Sequence, residues 1–98
     1  MAPSDIGRVV DELYAVIDAR RDADPEESYT ARLLTGHEDK LLKKIGEEAT
    51  EVVMAAKDHD RDQVRYEAAD LLYHLLVVMA REGVTPADLA AELATRRR

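Results

Sequence analysis

The architecture of this chain turns on KKIGEEATEVVMAAK, residues 43–57. Its apolar residues recur at helical spacing, yet Glu47, Glu48 and Glu51 stand among them. The same collision returns in YEAADLLYHLLVVMA, residues 66–80, with Glu67 and Asp70. A helix turns about 100° per residue. Glu48 and Glu51 therefore share a face with Lys44, Val52 and Ala55, and Glu47 lies at its edge. Glu67 and Asp70 share a face with Leu71, His74 and Val78. Two consecutive helices thus carry acidic pairs toward their apolar sides.

An isolated buried carboxylate is costly, and two such pairs facing each other repel. A divalent cation between them removes both penalties. Carboxylates with no sulfur and no required imidazole form a hard oxygen site, which suits Mg2+, with Mn2+ as a substitute. Carboxylates projecting inward from facing helices are a known way to build metal sites in bundles. Either pair alone reads as a solvated helix face, where such spacing is common and i, i+4 pairing with lysine is ordinary. Together they read differently, because Glu67 and Asp70 sit in the most apolar helix of the chain. His74, one turn past Asp70, has two readings: a partner that holds a carboxylate in place, or a histidine satisfied in the core or at an interface. His37 and His59 read as terminus and turn residues, and the tyrosines as packing groups.

On either side of these segments nearly everything reads as helix. Residues 5–21 carry Ile6, Val9, Val10, Leu13, Tyr14 and Ile17 at helical spacing, with Ser4 as the expected N-cap. DADPEES breaks the pattern, since Pro25 disfavours helix at Asp24. Ser28 then caps a short YTARLL turn that ends at Gly36. The second main helix spans residues 38–57. Asp60 with Gln63 resembles a capping box and opens a third, which runs to Gly83. Thr85, Pro86 and Asp88 start a last helix expected over 86–97. The third helix is apolar nearly all round, from Val64 through Ala68, Ala69, Leu71, Leu72 and Leu75 to Met79. Such a helix needs neighbours on every side, and a small chain has few to offer. The expectation is an all-α helical bundle completed by homo-oligomerisation, as a dimer or larger, with a compact monomer as the alternative.

The chain has 98 residues, so one domain, 1–98, is expected. Hydrophobic residues make up 46%, with no Phe or Trp, so the core must be aliphatic. The net charge of −7 argues against general nucleic-acid binding, which depends on neutralising phosphates with Lys and Arg. It leaves room for a phosphorylated small molecule whose charge metal ions offset. There is no cysteine, which rules out disulfides and suits a reducing compartment. MAPSDIGR does not read as a signal peptide, and no apolar run is long enough for a membrane span. The RRR end reads as a solvated helix C-terminus.

GEEATEVVMAAK followed by YEAADLLYHLLV gives Glu-Glu-x-x-Glu and then Glu-x-x-Asp one helix later. This pattern resembles the all-α nucleoside triphosphate pyrophosphohydrolases, which include the MazG-like enzymes and dimeric dUTPases. SYTARLL, KLLKKIGEEATEVVMAAKD and YEAADLLYHLLVVM are more specific and resemble the phosphoribosyl-ATP pyrophosphatase family of histidine biosynthesis, over residues 28–97. The resemblance implies hydrolysis of the α–β phosphoanhydride of phosphoribosyl-ATP, giving phosphoribosyl-AMP and pyrophosphate. It implies that Glu48, Glu51, Glu67 and Asp70 ligate Mg2+ and belong to the catalytic set. Glu47 matches the first Glu of the motif, with a second ion or water orientation as its role. Lys43 and Lys44 match a basic pair that contacts phosphate. It further implies a single-function form without a fused cyclohydrolase and a cytoplasmic location; no motif positions a Ser or Cys nucleophile, so direct attack by water is expected. Two alternatives stay open: a house-cleaning nucleoside triphosphate pyrophosphohydrolase, and a non-enzymatic helical dimerisation module.

Overall fold

A computed structural model describes residues 4–97. Residues 1–3, part of the stretch read above for a signal peptide, and Arg98, the last of the RRR end, lie outside the described residues. The elements are α1 (Ile6–Ala19), a 3-10 turn (Arg20–Asp22), α2 (Tyr29–Thr35), α3 (Glu38–Lys57), α4 (Arg61–Glu82) and α5 (Pro86–Ala94). There is no strand among the described residues, so the all-α expectation holds. No described helix is long and apolar enough to cross a membrane.

Local chemistry explains most of the boundaries. The Ser28 hydroxyl accepts from the Ala31 N–H at 3.1 Å and starts α2; a cap of this kind contributes about 1 kcal/mol. Gly36 ends α2, as expected, in an extended conformation with φ −81°. Glycine is needed there for space, because a Cβ would lie 2.5 Å from the Arg32 carbonyl oxygen. Asp60 accepts from the Gln63 N–H at 3.1 Å and caps α4. The expected box is incomplete: the Gln63 amide donates to Glu67 at 2.7 Å instead of turning back to Asp60. Gly83 closes α4 at φ +74°, a conformation glycine adopts without steric cost. At α5 the box is reciprocal, with Asp88 N–H to Thr85 Oγ1 at 3.1 Å and Thr85 N–H to Asp88 at 2.9 Å. The Thr85 N–H first, and then the Thr85 side chain, hold the Asp88 carboxyl below the usual aspartate range.

Two ends depart from the sequence expectation. Asp5, not Ser4, caps α1, and it does so without a side-chain hydrogen bond. The last helix stops at Ala94 rather than Arg97: the Thr95 and Arg96 N–H groups bond the carbonyls three residues back, Glu92 and Leu93, in a tightened final turn.

α3 and α4 form an antiparallel hairpin through the short Asp58–His59–Asp60 turn, where His59 takes φ +55°. The core gathers at one end of this hairpin. Leu41 from α3 meets Leu76, Val77 and Ala80 from α4, with Ile17 from α1 and Leu33 and Leu34 from α2 around them. Side chains at the rim of this core tie the helix ends and loops together. Arg81 donates to the Leu33 and Gly36 carbonyls at 2.8 and 2.9 Å, and the Tyr14 hydroxyl donates to the Val84 carbonyl at 2.8 Å. The other end of the hairpin holds the acids.

α4 is not surrounded within one chain. Its buried residues are Glu67, His74, Leu76, Val77 and Ala80, while Ala68, Ala69 and Leu75 stay exposed. Ile6 (59% exposed) and Leu93 (56%) flank a groove between α1 and α5 that also includes Val10, Leu72 and Leu89.

Candidate metal centre

The antiparallel pairing that places Leu41 beside Leu76 also brings Glu48 of α3 to Asp70 and His74 of α4. Glu48 is 6% exposed, Glu67 4% and His74 3%. The three are the buried polar residues among those described. One ligand atom each from Glu48, Asp70 and His74 lie within 4.8 Å of one another.

His74 is fully engaged. Its Nδ1 lies 2.9 Å from the Asp70 carbonyl oxygen, which can only accept, so Nδ1 carries a proton. Its Nε2 lies 3.0 Å from the Tyr29 hydroxyl, which donates to it in the neutral ring. The ring stands edge-on to both Tyr29 and Tyr73, with centroids 6.1 and 5.3 Å away. Nδ1 is 3.6 Å from a carboxylate oxygen of Glu48 and 3.6 Å from one of Asp70. Of the two sequence readings, the histidine satisfied in the core fits this geometry, because both ring nitrogens are taken up by the Asp70 carbonyl and the Tyr29 hydroxyl and neither bonds a carboxylate.

Burial pushes the Glu48 carboxyl above the ordinary glutamate range. The Asp70 carboxyl beside it, through a shared hydrogen bond and its charge, pushes the same way, and His74 and Lys44 oppose. No lysine or arginine forms an ion pair with Glu48, Glu51, Glu67 or Asp70 among the described residues. Buried carboxyls without a basic partner, all offering oxygen, fit a hard divalent cation.

The expected residues come together unequally. Glu48, Glu51, Glu67 and Asp70 all line one cavity of about 330 Å³, with Lys44, Glu47 and Tyr66 at its edges. Glu48 and Asp70 touch, whereas Glu67 is turned toward Gln63, and Glu51 and Glu47 are exposed. Lys43 is not part of this cavity; it lines a neighbouring one that shares Lys44 and Glu47. Sequence reasoning missed three participants. Gln63 had a signal, since it stands one helical turn before Glu67. Tyr29 had none, because 45 residues separate it from His74. Tyr66 was read as packing but is 65% exposed at the cavity rim.

Comparison with known proteins fits this geometry. Residues 10–97 match the family model of phosphoribosyl-ATP pyrophosphohydrolase. The chain belongs to that family. A phosphoribosyl-ATP pyrophosphatase from Methylibium petroleiphilum is 57% identical over 84 residues, 86% of this chain and 70% of the relative. One from Haloarcula marismortui is 50% identical over 95 residues, 95% of this chain and 97% of the relative. The histidine biosynthesis bifunctional protein HisIE of Thermus thermophilus is 51% identical over 94 residues, 96% of this chain but 44% of that protein. Family membership favours the enzymatic reading over the dimerisation module.

Proposed function

We propose that this chain hydrolyses the α–β phosphoanhydride of phosphoribosyl-ATP to phosphoribosyl-AMP and pyrophosphate, the second step of histidine biosynthesis. The observation that carries the chemistry is the contact of the buried Glu48 carboxyl with the half-buried Asp70 carboxyl, with no lysine or arginine paired to either, in a cavity that Glu51 and Glu67 also line. Family membership supplies the substrate. Glu48, Glu51, Glu67 and Asp70 would hold Mg2+, or Mn2+ in its place. The ion, when bound, supplies Lewis acidity toward phosphoryl oxygens and neutralises their charge.

The remaining work falls to side chains. The Gln63 amide positions Glu67, while His74, bonded to the Asp70 carbonyl, steadies that turn of α4 beside the carboxyls. Such supporting contacts fix ligand orientation. Glu47, exposed on the cavity edge, orients the attacking water or helps hold a second ion. Lys44 is half-buried in the same cavity and offsets charge on the leaving pyrophosphate. Water adds across the anhydride, one P–O bond forming as the other breaks. Residues 1–98 act as one catalytic domain, in the cytoplasm.

The assembly belongs to the same reading. The exposed α4 residues and the groove between Ile6 and Leu93 support burial against a second copy of the chain. Sedimentation at micromolar concentration should give at least twice the chain mass; a single-chain mass refutes the oligomer.

The reaction is tested by pyrophosphate release from phosphoribosyl-ATP and from a panel of ordinary nucleoside triphosphates, all with Mg2+. Phosphoribosyl-ATP should be preferred in kcat/KM by about a hundredfold or more. Equal or better turnover of an ordinary triphosphate would establish the house-cleaning alternative.

A further inference from the structure

We infer that the basic cavity between α2 and the first turns of α3 receives the phosphoribosyl monophosphate of the substrate, the end remote from the scissile anhydride. This rests on the phosphoribosyl-ATP reading above and assigns a subsite within it. The cavity measures about 510 Å³, within the usual range for small-molecule sites. It meets the acidic cavity at Lys44 and Glu47, which line both. A ligand whose triphosphate lies among the acids therefore has a continuous route into it.

Charge and wall chemistry identify the occupant. Arg32, Lys40, Lys43 and Lys44 line the cavity in a chain of net charge −7. Among the described residues none of these four is paired with a carboxylate, whereas Arg8, Arg21, Arg65 and Arg96 all are. Cations gathered without partners create a local positive field that attracts an anion. Arg32 is held in place: it donates to the Pro25 carbonyl at 2.9 Å, and its guanidinium carbon lies 5.8 Å from the centre of the Tyr29 ring. A planar guanidinium fixed in this way suits phosphate recognition.

The walls between the cations are apolar, formed by Pro25, Leu33 and the Tyr29 ring. A bare pyrophosphate gains nothing from such walls. A ribose bearing a phosphate presents carbon and a dianion together. Ordinary nucleoside triphosphates have no second phosphate to place here, so the cavity separates them from phosphoribosyl-ATP.

The test compares wild-type protein with Lys40→Ala and Arg32→Ala, and with Arg65→Ala as a control outside both cavities. Lys40 is exposed and makes no side-chain ion pair among the described residues, so its loss leaves the fold intact even if Arg32→Ala disturbs the Pro25 turn. Losing one charge-assisted contact should raise KM for phosphoribosyl-ATP about tenfold or more, lowering the preference over ATP by the same factor. Inhibition by ribose 5-phosphate should weaken in parallel, while inhibition by pyrophosphate is retained. An unchanged KM in both variants overturns the subsite. So does weaker pyrophosphate inhibition with ribose 5-phosphate inhibition unaltered. Failure of wild-type protein to release pyrophosphate from phosphoribosyl-ATP overturns the reaction, and the subsite with it.

Discussion

Glu67→Gln is expected to lower pyrophosphate release from phosphoribosyl-ATP by about a thousandfold or more while the helical fold persists. Glutamine keeps the shape of the side chain and removes its charge. Glu67 is 4% exposed and accepts from the Gln63 amide at 2.7 Å. The glutamine carbonyl accepts the same bond, so the end of α4 has no reason to rearrange. What disappears is an anionic oxygen that would help hold the proposed cation, and a lost ligand would remove several kcal/mol of transition-state stabilisation. Far-UV circular dichroism and a pyrophosphate-release assay on the same preparation measure both halves. Helicity retained with activity near wild type would remove Glu67 from the site.

Glu48→Gln should move stability and activity in opposite directions. Burial first, and then the neighbouring Asp70 carboxyl, raise the Glu48 pKa above its ordinary value. A raised carboxyl favours the folded state only while protonated. That contribution is complete below the ordinary glutamate pKa and fades as pH rises through the raised one. At neutral pH without metal, the wild-type chain therefore holds a Glu48 carboxyl whose ionisation its surroundings oppose. Glutamine cannot ionise, and its amide can donate to Asp70. The metal-free variant should melt higher at pH 7 by a few degrees, the change that about 1 kcal/mol produces in a domain of this size. Mg2+ should raise the melting temperature of the wild type and not that of the variant, and turnover should be lost. An equal response to Mg2+ in both proteins would show that Glu48 is not a ligand.

The sequence revealed the features that depend on local chemistry. The bounds of α3, Glu38–Lys57, follow from helical periodicity and its flanking turns, and the Thr85–Asp88 box follows from capping rules. The acidic pairs were visible because their spacing and the apolarity of α4 conflict. Features that depend on tertiary contact were not visible. His74 stayed ambiguous until its burial and its contacts to Tyr29 and Asp70 were known. Gln63 looked like half of a capping box because its donors serve the turn and Glu67 equally well on paper; the fold sends the amide to Glu67. The exposure of Glu51 and Glu47 could not be read either, since it depends on how far α4 covers α3. Lys43 and Lys44 read as a pair, but adjacent helix positions point in different directions, and only Lys44 reaches the acids.

Everything proposed for the reaction depends on acids from two consecutive helices sharing one ion. Anomalous difference density from crystals grown with Mn2+ measures this most directly. The expected result is a peak within ligand distance of Glu48 and Asp70, with Glu51 and Glu67 drawn in around it. A map with no peak in that cavity, or with the ion bound elsewhere and these carboxylates facing separate solvent, would contradict it.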